Sequence, residues 1–157
     1  MTDAPLATVQ TVSHVALDVA DLSASIAFYQ RVLGLVIAVD ARDEVPPNIK
    51  GVVGDFVIEI AELPDSPEVP GLAHRRREMP GLWLSLAVRD AAACFDRMKA
   101  AGLTEAPEPQ SLNGATFFSI RDPDGFLIEL IDLPGGARSL SELVVAHLDR
   151  TKDSTTP

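Results

Sequence analysis

The chain has 157 residues, a single cysteine (Cys94) and a net charge of −10, from 13 basic and 23 acidic side chains. One cysteine excludes an internal disulfide, and the acidic balance disfavours nucleic acid and anionic lipid, because both select basic surfaces. No stretch reaches the ~18 apolar residues of a membrane span and the first residues lack a signal-peptide pattern, so we expect a cytoplasmic protein without a membrane partner.

The sequence repeats itself after about seventy residues. Residues 12–21 and 81–90 are both strand-like, and both end in Val-x-Asp. In each copy an apolar stripe at helical spacing follows the aspartate, which is a good N-cap, and a glycine marks the end of the helix. Each copy then closes with a strand that contains Phe-x-Ile-Glu, ending at Glu59 or Glu129. The repeat therefore predicts two copies of one β-α-β-β-β module.

The predicted elements follow the same order in both copies, with Pro and Gly clusters between the strands. The first copy has strands near residues 11–19, 35–44, 49–53 and 55–62 and a helix near residues 22–33. The second has strands near residues 82–89, 103–106, 115–121 and 126–132 and a helix near residues 91–101. A capping box from Ser139 to Glu142 predicts a short further helix. This pattern is typical of the α+β class.

The predicted organisation is one domain of two modules over residues 1–133. The modules are residues 10–63 and 80–133, and a proline-rich linker at residues 64–79 joins them. Residues 134–157 form a C-terminal extension that carries the short helix.

The apolar phase of each strand identifies the face that packs under the helix, because side chains alternate along a strand. This phase leaves His14 and Glu59 on the opposite face of the first module, and Trp83 and Glu129 on that of the second. A histidine and two carboxylates on such a face are costly unless they are hydrated, paired or metal-bound. Divalent first-row metals accept this nitrogen and oxygen set, which makes His14, Glu59 and Glu129 candidate metal ligands.

Three segments, residues 13–21, 27–34 and 118–129, carry a resemblance to a known family. In them the chain resembles the vicinal oxygen chelate superfamily, which includes glyoxalases, fosfomycin-resistance enzymes, extradiol dioxygenases and bleomycin-binding proteins. The resemblance spans about residues 10–133. It implies a curved mixed-sheet half-barrel around a cavity, a small-molecule substrate or ligand, and a homodimer.

The resemblance also implies metal ligands on the first and last strand of each module, at His14, Glu59, position 83 and Glu129. Trp83 departs from the family pattern, because many metal-dependent members have a histidine there and indole cannot ligate through its N–H. Three ligands suffice for a catalytic site that leaves positions open for water and substrate. His74, in the linker, is a weaker candidate. Zinc, manganese, iron, nickel and cobalt all suit these ligand types.

The first function hypothesis is a metal-dependent lyase or isomerase that acts on adjacent substrate oxygens through an enolate-type intermediate, with Glu59 or Glu129 as the catalytic group that moves a proton. The alternative is a metal-free binding or resistance protein that sequesters a small aromatic or hydrophobic compound, for which Trp83 offers a stacking surface. A further alternative is a ring-cleaving dioxygenase. That chemistry typically uses two histidines and one glutamate in this superfamily, whereas the predicted site has only His14.

Overall fold

A computed structural model describes residues 12–63, 83–104 and 108–144 of the chain. The chain divides into two compact units, residues 1–73 and 74–157. Each unit contains one of the two predicted modules. Within the described residues, no helix is long and apolar enough to cross a membrane.

The first unit combines a helix with a four-stranded mixed sheet. Its described elements are β1 (Val15–Val19), α1 (Leu22–Leu33), β2 (Val36–Ala41), β3 (Asn48–Val53) and β4 (Phe56–Glu62). The strand order is β1-β4-β3-β2, in which β1 and β4 are parallel and the other neighbours are antiparallel. The first and last strands of the module are therefore neighbours, which brings residues far apart in sequence side by side.

The second unit repeats this arrangement. Its described elements are β5 (Leu84–Ala87), α2 (Ala91–Ala100), β6 (Gln110–Leu112), β7 (Ala115–Arg121) and β8 (Leu127–Asp132). The strand order is β5-β8-β7-β6, with β5 parallel to β8. The predicted α+β fold of two βαβββ modules is confirmed.

Both helices begin at the aspartates that the sequence predicts. Asp21 accepts a hydrogen bond of 2.9 Å from the amide of Ala24, and Asp90 accepts one of 2.9 Å from the amide of Ala93. Gly34 ends α1 in the left-handed conformation (φ +70°), which glycine adopts without the strain that a side chain causes. Local sequence therefore sets the start of both helices and the end of α1.

A second carboxylate, from the last strand of the module, also binds the start of each helix. Glu62 of β4 accepts a hydrogen bond of 2.9 Å from the amide of Leu22. Asp132 of β8 accepts one of 2.9 Å from the amide of Asp90. These contacts link each helix to the end of its own module, and the sequence pattern alone did not predict them.

The core of each unit lies between its helix and one face of its sheet. In the first unit the buried apolar side chains are Leu17, Val19, Ile49, Ile58 and Ile60 of the sheet and Leu22, Ile26 and Tyr29 of α1. In the second unit they include Phe118, Ile120, Ile128 and Leu130 of the sheet and Ala91 and Phe95 of α2. Phe95 contacts Phe118 edge to face, with ring centroids 5.4 Å apart. The predicted packed faces of β4 and β8 are confirmed.

One predicted strand of the second module is wrong. Leu103 and Thr104, the described part of the strand predicted at residues 103–106, are not in a strand, and β6 precedes β7 instead. Because β6 is exposed along its whole length, it lacks the alternation that a buried face imposes. Asn113 and Gly114 join β6 to β7 with φ of +50° and +81°, the conformation that an Asn-Gly hairpin turn requires.

The predicted short helix begins at Leu140, and its described part reaches residue 144. The hydroxyl of Ser139 accepts a hydrogen bond of 3.3 Å from the amide of Glu142. The carboxylate of Glu142 accepts one of 2.8 Å from the amide of Arg138, not from Ser139. The predicted linker at residues 64–79 lies outside the described residues, and the organisation into a single domain stays a prediction.

Candidate metal centre

The face of the first sheet opposite its buried side chains, called here the open face, carries three polar side chains. Glu59 on β4 and Lys50 on β3 are register partners, so both project to this face. His14 lies just before β1, in phase with Ala16, which is the other register partner of Glu59. The three side chains are 42% (His14), 26% (Glu59) and 44% (Lys50) exposed. A ligand can therefore reach them.

His14 and Glu59 stand at a distance that suits two ligands of one ion. Nε2 of His14 is 3.6 Å from Oε2 of Glu59. Two ligand atoms about 2.1 Å from a metal are roughly 3.0–3.4 Å apart in octahedral or tetrahedral geometry, so only a small adjustment is needed. The hydroxyl of Ser13 lies 2.9 Å from Nδ1 of His14. This contact orients the ring with Nε2 toward Glu59, and metal-binding histidines usually have such a partner on the second nitrogen.

Lys50 is a third member of this cluster that the sequence analysis did not select. Its Nζ lies 3.3 Å from Oε1 of Glu59. The two oxygens of Glu59 therefore have different neighbours, Lys50 on one side and His14 on the other. The sequence could have indicated Lys50 through the apolar residue before it. Side chains alternate along a strand, so a buried Ile49 places Lys50 on the open face.

The open face of the second sheet presents Glu129 with a serine beside it. Ser85 and Glu129 are register partners on β5 and β8, and the Ser85 hydroxyl donates a hydrogen bond of 2.7 Å to Oε1 of Glu129. Trp83 lies immediately before β5 and is 50% exposed, so it is not part of the core. Alternation along β5 predicts that Ser85 lies on this face, but the sequence pattern does not indicate that it contacts Glu129.

Each unit by itself brings together part of the predicted site. His14 and Glu59 meet in the first unit, and Glu129 meets Ser85 in the second. Within the described residues of either unit, no group of three or more His, Cys, Asp or Glu side chains converges. A joint site of His14, Glu59 and Glu129 therefore requires ligands from both units, and it stays a prediction. His74 lies outside the described residues.

Comparison with known proteins identifies relatives over most of the chain. A family model described as the Glyoxalase/Bleomycin resistance protein/Dioxygenase superfamily matches residues 11–130. The uncharacterized protein YaeR of Escherichia coli (strain K12) is 31% identical over 128 residues, which cover 77% of this chain and 95% of YaeR. The match includes both modules, so it concerns the whole predicted fold.

Solved structures share this fold. A glyoxylase/bleomycin resistance protein/dioxygenase domain from Frankia sp. EAN1pec is 27% identical, with a TM-score of 0.66 over 83% of this chain and 96% of that domain. The fosfomycin resistance protein FosX from Listeria monocytogenes, solved as a mutant with Mn(II) and 1S,2S-dihydroxypropylphosphonic acid, is 21% identical. Its TM-score is 0.65 over 80% of this chain and 93% of the FosX chain. At that identity the likeness to FosX shows the fold alone.

Proposed function

The chain belongs to the glyoxalase/bleomycin resistance protein/dioxygenase superfamily, and from this premise we propose that it is a divalent-metal-dependent lyase or isomerase. Its substrate is a small molecule with two adjacent oxygens, and the reaction passes through an enolate-type intermediate. The observation that carries the proposal is the pair of His14 and Glu59, whose ligating atoms lie 3.6 Å apart on an open face.

In this proposal His14, Glu59 and Glu129 hold the ion. One imidazole nitrogen and two carboxylates suit zinc, manganese, iron, nickel and cobalt, and FosX holds Mn(II) on the same fold. When bound, the ion supplies a Lewis acid that neutralises negative charge on the substrate oxygens. Because Trp83 provides no ligand, three protein ligands leave coordination positions for water and substrate.

The neighbours of the two glutamates favour Glu129 as the group that moves a proton. Ser85 has a hydroxyl, which can donate to a carboxylate and can also accept from a carboxylic acid. Lys50, beside Glu59, has only donors, so one oxygen of Glu59 has an ammonium as its neighbour and no acceptor. We therefore assign Glu59 the role of a metal ligand, and Glu129 the additional role of taking a proton from the substrate and returning it.

We propose that Trp83 contacts the substrate through its ring face. Its indole is half-exposed and lies two residues before Ser85, the neighbour of Glu129. An exposed aromatic side chain of this size offers a broad apolar surface for a ligand.

The exposed indole of Trp83 also favours a second candidate function, a metal-free protein that sequesters an aromatic or hydrophobic compound. Ring-cleaving dioxygenation has less support, because the described open faces present one histidine, His14, and that chemistry typically uses two.

Metal analysis of protein purified without chelators tests the proposal. We expect close to one divalent ion per chain, retained through desalting. His14→Ala and Glu59→Gln should each abolish retention and leave the far-ultraviolet circular dichroism unchanged, because both residues lie outside the buried core.

Lys99→Gln is a matched control, because Lys99 pairs with Glu108 at 3.4 Å on the surface of the second unit. A chain that holds no divalent ion and still binds aromatic compounds, with quenching of Trp83 fluorescence, would exclude the metal enzyme in favour of the binding protein.

The resemblance also supports a homodimer as the working form. Light scattering coupled to size-exclusion chromatography measures this directly. We expect twice the mass of the 16.8 kDa chain, and a mass of one chain at micromolar concentration would exclude it.

A further inference from the structure

The second module differs from the first at two positions of its open face, and the differences are neighbours. Trp83 stands 69 residues after His14, so the imidazole of the first module is an indole in the second. Ser85 stands 69 residues after Ala16, so a hydroxyl is present only in the second. The module that lacks the histidine therefore has a hydrogen-bond donor two residues further along the same strand.

Ser85 contacts the glutamate of its own module. It is the register partner of Glu129, and its hydroxyl donates a hydrogen bond of 2.7 Å to Oε1. Among the described residues this hydroxyl is the one hydrogen-bond partner of the Glu129 side chain. Among the described residues, one oxygen of the carboxylate is therefore held by a hydrogen bond and the other is not.

The first module holds its glutamate by other means. Lys50 contacts one oxygen of Glu59 at 3.3 Å and His14 stands 3.6 Å from the other. The strand position of Lys50 corresponds to Ser119 in the second module, where Ser119 is the register partner of Glu129. Within the described residues Ser119 makes no hydrogen bond to the Glu129 carboxylate, and Ser85 is the residue that holds it.

We propose that Ser85 is a positioning residue, which holds one oxygen of Glu129 and thereby presents the other oxygen to the metal ion. This inference rests on the proposed function, because it requires Glu129 to be a ligand. A glutamate side chain loses conformational freedom when it binds an ion, and a hydrogen bond made beforehand reduces that loss. Ser85 thus restricts a ligand in the module that has Trp83 where the first module has His14.

The affinity of the full-length protein for Mn²⁺ tests this inference. Free Mn²⁺ is counted by electron paramagnetic resonance for the unchanged protein and for Ser85→Ala, Ser85→Thr and Glu129→Gln. We expect Ser85→Ala to weaken binding about tenfold, the usual effect of losing a hydrogen bond to a metal ligand. Ser85→Thr keeps the hydroxyl and should restore the affinity, whereas Glu129→Gln should lose binding.

Ser111→Ala is the matched control, because the Ser111 hydroxyl pairs with Thr116 at 3.3 Å between β6 and β7 of the same unit. Its Mn²⁺ affinity should be unchanged, and both alanine variants should melt at the temperature of the unchanged protein without metal. If Glu129→Gln loses Mn²⁺ binding but Ser85→Ala binds Mn²⁺ as tightly as the unchanged protein, this inference is overturned and the proposed function stands. No Mn²⁺ binding by the unchanged protein would overturn the proposed function and this inference with it.

Discussion

The two equivalent glutamates, Glu59 and Glu129, have neighbours of different charge. Lys50 places a positive charge 3.3 Å from Glu59, whereas Ser85 places a neutral hydroxyl 2.7 Å from Glu129. A cation bound by Glu59 is repelled by the ammonium, but a cation bound by Glu129 meets no such charge from Ser85. The two neighbours should therefore influence metal affinity in opposite directions.

Lys50→Met should tighten Mn²⁺ binding about fivefold at low ionic strength. The reason is that removing a positive charge close to a divalent ion removes about 1 kcal/mol of repulsion in a half-exposed site. Added salt should reduce the difference, because mobile ions screen exposed charges. The same resonance titration that tests Ser85 measures this change.

Lys50→Arg keeps the charge and should bind Mn²⁺ as the unchanged protein does. Lys99→Met removes a lysine of similar exposure, whose partner is Glu108, from α2, which packs on the face of the second sheet opposite Glu129. It should have no effect on affinity. Weaker Mn²⁺ binding by Lys50→Met would contradict this prediction. It would mean that Lys50 raises the affinity by orienting Glu59 more than it lowers the affinity by repelling the ion.

Among the helices and strands, the same contact recurs in both modules: a carboxylate on the last strand accepts a hydrogen bond from a backbone amide at the start of the helix. Asp132 of β8 binds the amide of Asp90 at the start of α2, and Glu62 of β4 binds the amide of Leu22 at the start of α1. The first amides of a helix have no partner within the helix, and a carboxylate there also interacts favourably with the helix dipole. These contacts fix the helix against the strand that carries the glutamate of the open face.

Asp132→Ala should lower the free energy of unfolding by about 1 kcal/mol, as the loss of a helix-capping hydrogen bond does. Urea unfolding followed by circular dichroism should show a lower midpoint with an unchanged slope. Asp96→Ala, which removes an exposed carboxylate from the middle of α2, is the control and should leave the midpoint nearly unchanged. Equal midpoints for the two variants would show that the Asp132 contact contributes nothing to stability.

Over the chain as a whole, the ligands that we propose for the ion are far apart in the sequence. His14 and Glu59 belong to the first unit and Glu129 to the second. An ion that binds only the folded protein stabilises it, by about 2.7 kcal/mol at a free concentration one hundred times the dissociation constant. A shared ion therefore makes the stability of the protein depend on ligands in both units.

Saturating Mn²⁺ should raise the melting temperature of the unchanged protein by several degrees. His14→Ala and Glu129→Gln should each abolish this rise, although they change different units. Asp40→Asn alters an exposed carboxylate that pairs with Arg42 and should keep the full rise. A rise that survives Glu129→Gln but not His14→Ala would assign the ion to the first unit alone.

The repeat, the helix caps and the packed faces of the strands can be predicted from the amino-acid sequence, because these features follow from local patterns. Asp21 and Asp90 cap their helices through amides three residues further along the chain, and the burial of Ile58 and Ile128 places Glu59 and Glu129 on the opposite face. The exposed strand β6 escaped prediction because no buried face imposes a pattern on it.

The side chains that contact the two glutamates could not be predicted in this way and are known from the three-dimensional fold. Lys50 and Ser85 reach them from opposite neighbouring strands, Lys50 from β3 and Ser85 from β5. Strand register sets these contacts, and register depends on pairing between segments far apart in the chain, which alternation within one strand does not specify. The sequence therefore determined the face on which each glutamate lies, and strand pairing determined the partner that holds it.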